Sequence, residues 1–517
     1  MGLNTLRAGG PEDVNVLHMG NGTEPASLDP HVVTGVPEHH ILGALFEGLV
    51  NLDAKDLAPK PGVAESWTMS DDGLVYTFKL RQDARWSNGD PVTAHDFTYA
   101  WRRILTPSLA SRYAYMLHCM KNAKAYNEGK LTDFSQVGAK ALDDYTLKVT
   151  LESRTPYFLS LHIHYTWFPV HQKTIETHGT LDDLNNRWIL PENFVGNGAF
   201  TLATWEPNKS ILARKSPTYW NAEEVKLDGV RFYPVSDLQT EERMFRSGDL
   251  HFTENAPTTK IDFYKENRPE QLRIAPWLGS YYYRINTTRP PFDDPRVRRA
   301  LSMAIDREAI VKYITRGGQI PARYYTPQGM HGYQPENFFE EDVPEARRLL
   351  AEAGYPEGKG MPPVDIHYNT AESHRQIAEA IQQMWKENLG IDVTITNEEW
   401  KVYLDTQNRI AYDVSRAGWI GDFADPVNFL ECFTTGNGNN RTGYASEEFD
   451  ALIAEARRTD SLEARNALYL RAETILLRDM PLIPIYIYTR VFLVSADVEG
   501  RYPNVLDHIA FDEISLD

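Results

Sequence analysis

Eleven positions, RAGWIGDFADP at 416–426, bring together three side chains that rarely share a core. Arg416 supplies a cation, Trp419 an indole and Asp422 a carboxylate, set among small residues and closed by Pro426. A carboxylate beside Trp419 and Phe423 is costly to desolvate unless a positive group meets it. Two arrangements satisfy that need: an ion pair inside the protein, or a fixed receptor for the ammonium group of a ligand. Covalent chemistry has no comparable constellation. The chain has no strand–GxSxG–helix nucleophile elbow, no HExxH, no paired CxxC and no P-loop. His162 and His164, on an expected strand, would face one side as a possible metal pair, whereas adjacent His39 and His40 would diverge in an extended segment. No thiolate or carboxylate cluster lies near either pair in sequence, so neither a metal nor another cofactor is called for. The glycine-rich TGNGNNRTG at 435–443 lacks dinucleotide-fingerprint spacing and reads as a surface loop.

The elements that must position these residues alternate between helix and strand. Leu74, Tyr76, Phe78 and Leu80 alternate with polar partners, as do Tyr145, Leu147, Val149 and Leu151, which predicts two half-buried strands. Thr93 with Asp96 makes a capping box before the apolar stripe of Phe97, Ala100, Trp101, Ile104 and Leu105. Pro295 suits the first turn of a helix carrying Val297, Ala300, Leu301 and Ala304. The stretch 344–354 has a proline start and a glycine stop. Ile377, Ile381, Met384 and Trp385 stripe another helix, which Gly390 ends before a strand with Ile391, Val393 and Ile395. Such helix–glycine–strand units build α/β sheets.

Composition sets outer limits. A chain of 517 residues exceeds one core, so two or three domains are expected. Its 53 basic and 72 acidic residues give a formal charge of −19, which repels nucleic acid and anionic membrane surfaces. The apolar tail MPLIPIYIYTRVFLV is too short to span a bilayer and carries Arg490. MGLNTLRAGG has no hydrophobic export region. Cys119 and Cys432 are paired, free or singly buried; spacing does not decide.

A series of ordered motifs carries a family resemblance. EPASLDP (24–30) and LFEGLV (45–50) precede AESW…YTFKLRQDARWSNGDPVTAHDF (64–97), SPTYWN (216–221) and YYYRIN (281–286). PPFDDPRVRRAL (290–301), LLAEAGY (349–355) and EWKVYLDT (399–406) follow, before the 416–426 motif itself. In these stretches the chain resembles the peptide-binding proteins of bacterial ABC importers, the dipeptide, oligopeptide and nickel-binding family. It is most similar to the enteric-type oligopeptide binders. The resemblance implies an α/β, two-lobed periplasmic-binding-protein fold with a hinge and an extra inserted subdomain. It places lobe I at 1–46, 173–277 and 490–517, the insertion at 47–172, and lobe II at 278–489. It implies an exported, monomeric protein, free in the periplasm or lipid-anchored on the extracytoplasmic face. The present N-terminus would then be a mature form whose leader has been replaced by Met.

The same resemblance assigns roles. Asp422 would take the α-ammonium of a short peptide bound in a cleft between the lobes. Arg416, His374 and Arg316 would meet the terminal carboxylate of short, intermediate and longer ligands. Trp400, Trp419 and Tyr113 match wall positions, although each is equally a plausible core residue. Ala417, Gly418 and Ile420 would line the ligand backbone, and Val36 would add main-chain hydrogen bonds from the opposite lobe. Gly279 and Ile420 stand where enteric members carry a cysteine pair, so that crosslink is absent here. Thr34 and Arg284 replace glutamates, which predicts a weaker preference for Lys-rich peptides. Gln407 replaces an arginine, with Arg409 two positions on as a candidate substitute if the segment is a strand. The bound peptide would be delivered to a membrane ABC permease. The alternatives are a specialised receptor for murein peptides, signalling peptides or a metal chelate, and, less favoured, a peptidase.

Overall fold

A computed structural model describes residues 15–517, so the reading of MGLNTLRAGG lies outside the described residues. The chain forms two compact units. The first comprises residues up to 257, 262–273 and 492–517; the second comprises 258–261 and 274–491.

The first unit holds two four-stranded sheets. In one, Val16–Gly20 runs parallel to Gly229–Tyr233, followed by antiparallel Ser210–Lys215 and Phe200–Glu206. The other is wholly antiparallel, in the order Ala64–Met69, Val75–Leu80, Thr146–Thr150, Ala139–Asp143. Alternation produces its buried face: Tyr76, Phe78 and Leu80 point inward, opposite Leu147 and Val149. Helix Ala94–Leu105 starts at the expected capping box, with Thr93 N–H donating to Asp96 Oδ2 at 2.7 Å. Its stripe of Phe97, Ala100, Trp101, Ile104 and Leu105 is fully buried.

The second unit is built on a six-stranded mixed sheet. The strand order is Ile320–Pro321, Leu482–Leu493, Leu272–Ile285, Val414–Ile420, Val364–Asn369, Val393–Glu398. Helix Pro295–Met303 takes Pro295 in its first turn, with Asp294 accepting from Arg296 N–H at 2.8 Å. Helix Val343–Glu352 is capped by Asp342, and Glu372–Leu389 ends at Gly390 in the left-handed region (φ 69°). Leu301, Ile377, Ile381 and Trp385 pack with Tyr281, Ile366, Val414 and Ile485 of the sheet in one core. Burying such side chains stabilises by about 1.5–3 kcal/mol each, which fixes the helices, and His374 with them, against the strands.

Two histidine expectations are corrected. His162 and His164 do not lie on a strand. They sit in and after a tight 3-10 turn, Phe158–Ile163, where residues two apart diverge. His162 enters a cage of Phe78, Phe158 and Trp167, while His164 turns to Tyr113 and Tyr165. His39 and His40 lie in helix Val36–Leu45, not in an extended segment. Both cysteines are free thiols.

Candidate functional site

The 416–426 motif divides into the strand Val414–Ile420 and a turn into the short helix Val427–Leu430. Burial alternates along the strand: Ser415, Ala417 and Trp419 are buried, whereas Arg416, Gly418 and Ile420 are half-buried. Against Leu272–Ile285 the register sets Arg416 opposite Tyr283, Gly418 opposite Tyr281 and Ile420 opposite Gly279. Gly421 N–H donates to Leu278 O at 2.7 Å. Counting back along an antiparallel ladder, the hydrogen-bonded pairs then fall at Trp419, Ala417 and Ser415. Arg416, Gly418 and Ile420 therefore direct their main-chain groups to the opposite edge of the strand. On that edge, pairing with the parallel strand Val364–Asn369 ends at Ser415. Among the described residues no strand pairs with the edge from Arg416 to Ile420.

Polar groups are concentrated at both ends of this edge. At the first, Arg416 Nη2 donates to Tyr488 Oη at 2.6 Å and Nη1 to Asn369 Oδ1 at 3.3 Å. The guanidinium lies 4.7 Å from the Tyr281 ring centroid, and its buried Nε–H has no acceptor among the described residues. Burial pulls the Arg416 pKa down, but the phenols of Tyr488, Tyr281 and Tyr403 outweigh it and leave the group above its ordinary value. Arg416 O accepts from Tyr403 Oη and from Gln407 Nε2 (3.0 Å). His374, in the first turn of helix Glu372–Leu389, lies 3.4 Å from Tyr281 Oη through Nδ1. Desolvation, then the like charge of Arg416, hold His374 well below the ordinary histidine range. It is therefore a neutral ring at pH 7 in this state.

At the other end, Asp422 is half-buried and held by Asn428. Asn428 Nδ2 donates to Asp422 Oδ2 at 3.2 Å, and its Oδ1 accepts from Asp422 N–H (3.1 Å) and Trp419 Nε1 (3.0 Å). In the same motif Asp425, 0% exposed, forms an internal ion pair with Arg465 Nη2 at 2.8 Å.

The profile of bacterial extracellular solute-binding proteins, family 5 Middle, matches residues 58–441. The chain belongs to this family. It is 40% identical to the periplasmic oligopeptide-binding protein OppA of Escherichia coli over 489 residues, which is 93% of this chain and 88% of that protein. It is 37% identical to the periplasmic murein peptide-binding protein MppA of E. coli, over 94% of this chain and 90% of that one. The crystal structure of Haemophilus influenzae OppA in complex with RPPGFSPFR matches with a TM-score of 0.92 at 36% identity, covering 97% of this chain and 99% of that one.

For this family member, the structure gathers Arg416, His374, Ala417, Gly418, Trp419, Ile420 and Asp422 around one strand and the turn that follows it. Trp400 stacks on Tyr403 (5.5 Å between centroids), whose hydroxyl grips Arg416 O. Gly279 faces Ile420 so closely that a Cβ there would meet Ile420 Cδ1 at 2.6 Å, so apolar packing fills the place of the absent crosslink. Arg316 stands elsewhere: it is exposed, has a positive φ of 56°, and its Nε donates to Tyr313 O at 3.2 Å. Thr34, Val36 and Tyr113 belong to the first unit, where Val36 opens a helix and its N–H has no intrahelical acceptor.

Two sequence expectations need correction. Arg409 does not substitute for Gln407: the segment is helix Trp400–Asn408, so Arg409 faces solvent and pairs with Asp405 at 2.6 Å, while Gln407 is buried. The 435–443 loop is a surface feature only in its first half; Asn439, Arg441 and Thr442 are buried. Asn428, Asn369 and Tyr488 escape sequence reasoning. Asn428 carries a local signal, an amide inside the apolar run VNFLECF, but the other two arrive from strands distant in sequence.

Proposed function

We propose that this solute-binding protein captures short peptides outside the cytoplasm and delivers them to a membrane ABC permease, acting as a binder and not as an enzyme. One observation carries the reading: the unpaired edge from Arg416 to Ile420 ends in a guanidinium on one side and a carboxylate just beyond the other. An extended peptide adds to such an edge through main-chain hydrogen bonds that ignore its side chains. Its ammonium meets Asp422 and its carboxylate meets Arg416, so it runs antiparallel to the strand. The run from Arg416 to Asp422 spans roughly 20 Å at about 3.3 Å per residue. A ligand of three to five residues covers roughly 10–18 Å, and side chains reach across the remainder. His374 and Arg316 serve longer ligands. Trp400 and Trp419 form walls, with Gly418 leaving room for the ligand backbone. The parts given to Thr34, Val36 and Tyr113 rest on the family resemblance, as does the insertion at 47–172. Periplasmic location is supported by the names of the relatives and by the lack, among the described residues, of a helix long and apolar enough to cross a membrane.

Calorimetry with trialanine tests the reading. Asp422→Ala is expected to lose about 2–5 kcal/mol, a factor of roughly 30 to several thousand. Acetylating the peptide's amine should cost the intact protein a similar amount. Unchanged affinity in either experiment removes Asp422 from this role.

A further inference from the structure

The carbonyl that opens the unpaired edge is already occupied. Arg416 O accepts from the Tyr403 hydroxyl and from Gln407 Nε2 at 3.0 Å, both of helix Trp400–Asn408. The surroundings fix both donors in these directions. Arg284 Nη1 donates to Gln407 Oε1 at 2.7 Å, so the amide turns its oxygen to Arg284 and its Nε2 to the strand. Nε2 shares its two hydrogens among Arg416 O, Tyr403 Oη (2.7 Å) and Ser415 Oγ (2.9 Å). Because Tyr403 Oη accepts from Gln407, its own hydrogen goes to Arg416 O. Burial raises the Tyr403 pKa, which keeps that hydrogen in place at neutral pH. Tyr403 and Gln407 are buried, so a donor displaced from Arg416 O would find no water in exchange. A carbonyl oxygen has two lone pairs, and at Arg416 both are engaged. Farther along the edge, Gly418 O and Ile420 O meet no donor among the described residues.

An antiparallel ladder bonds at alternate residues, each donating to and accepting from the residue it faces. With its ammonium at Asp422, a peptide sets residue 1 beside Ile420, residue 3 beside Gly418 and residue 5 beside Arg416. The N–H of residue 3 meets Gly418 O. The N–H of residue 5 meets an oxygen with no lone pair to spare.

We propose that Tyr403 and Gln407 set the specificity of the site for the fifth ligand residue, closing Arg416 O so that this residue is accepted without an N–H. The inference rests on the peptide-binding reading. Proline at residue 5 is then tolerated, since its fixed φ, and the extended conformation it imposes on residue 4, suit a strand-like ligand. Proline at residue 3 forfeits the bond to Gly418 O.

Calorimetry on the full chain decides it, comparing pentaalanine with versions in which lactate replaces alanine 3 or alanine 5. Each replacement exchanges one N–H for an ester oxygen. Lactate at residue 3 should cost roughly tenfold in affinity, and lactate at residue 5 less than about twofold. Proline at the same two positions should repeat that order. Tyr403→Phe frees one lone pair of Arg416 O, so lactate at residue 5 should then cost several-fold against pentaalanine. An equal cost at both residues in the unaltered protein overturns the proposal, whether or not the variant folds. A folded Tyr403→Phe in which residue 5 stays insensitive overturns it too. If pentaalanine itself fails to bind, or neither lactate costs anything, the reading of the edge as a peptide site falls and takes this inference with it. If pentaalanine binds and residue 5 costs as much as residue 3, only this inference falls.

Discussion

Arg103 of the first unit and two arginines of the second, Arg416 and Arg284, are held in opposite ways. In the first, Arg103 meets both oxygens of Asp29 at 2.8 and 2.6 Å and gives its Nε–H to Leu181 O at 2.8 Å. Burial pushes Asp29 up, but Arg103 overcomes it and holds the carboxylate below its usual range. Nothing is left over, and the pair ties the segment around Asp29 to helix Ala94–Leu105. In the second unit, Arg416 and Arg284 lie on amides, phenols and ring faces, and each keeps one N–H without an acceptor among the described residues. The first arrangement serves the fold. In the proposed function, the second leaves charge for a ligand group to meet.

The contrast is tested most strongly by acid. Burial holds His31 and His162 down at about 3 and His508 at about 4, and places His39 well below its ordinary value. All four belong to the first unit. Each ring is neutral when folded and takes a proton below about 6.5 when unfolded, so the stability present above that pH is lost as the pH falls. At pH 5 the loss is about 2 kcal/mol per ring, which for four rings is comparable with the whole stability of a domain. Hydrogen exchange read by mass spectrometry at pH 7 and 5 should show the first unit opening well before the second. Equal protection in both units at both pH values would end the argument. His162→Phe should remove one ring's share, because both nitrogens of His162 are buried with no hydrogen-bond partner among the described residues.

Next in size is the arginine contrast itself. Arg103→Met leaves Asp29 buried without its partner and should cost about 3–5 kcal/mol of stability. Arg416→Met strands no carboxylate among the described residues, so its cost in urea denaturation should stay within about 1 kcal/mol while peptide affinity collapses. Similar stability losses for both variants would erase the distinction. Asp425 and Asp422 repeat the comparison within one motif. Asp425→Ala leaves Arg465 buried and should destabilise by about 3–5 kcal/mol. Asp422→Ala should spare stability and lose about 2–5 kcal/mol of binding instead. If Asp422→Ala unfolds the protein and Asp425→Ala only weakens binding, the two roles must be exchanged.

What the sequence reveals follows from how locally each feature is decided. The capping box at Thr93 and Asp96, Pro295 in a first turn and the glycine stop at Gly390 each depend on a few adjacent residues, and each stands where it is expected. His39 and His40 had a local signal as well: Pro37 beside Gly35 marks a helix start, which takes precedence over the extended reading. The stretch FLSLHIHYTWF has no clear period, so its 3-10 turns, and the parting of His162 from His164, are decided by packing against Phe78 and Trp167. Arg416, Trp419 and Asp422 stand out by residue type alone. The open edge between them does not, because it exists only where Val364–Asn369 stops short, and no spacing encodes that. The ion pair of Asp425 is equally hidden: it depends on Arg465, far along the chain.

The smallest predicted effect sets the pH response of ligand affinity against that of stability. His374 is neutral at pH 7 because desolvation and Arg416 both oppose its charge. A ligand carboxylate arriving against the ring reverses that balance, raises its pKa and draws in a proton. For such a ligand, affinity rises as pH falls, by up to tenfold per unit between the ring's free and bound pKa values. The first unit loses stability over the same change. Calorimetry at pH 7 in phosphate and in Tris, whose ionisation enthalpies differ, counts the protons taken up by peptides of two to five alanines. Uptake should approach one proton for the length whose carboxylate meets the ring, fall toward zero for the length that stops at Arg416, and vanish in His374→Gln. Zero uptake at every length would exclude His374 as a carboxylate receptor and leave Arg416 and Arg316 to divide the lengths between them.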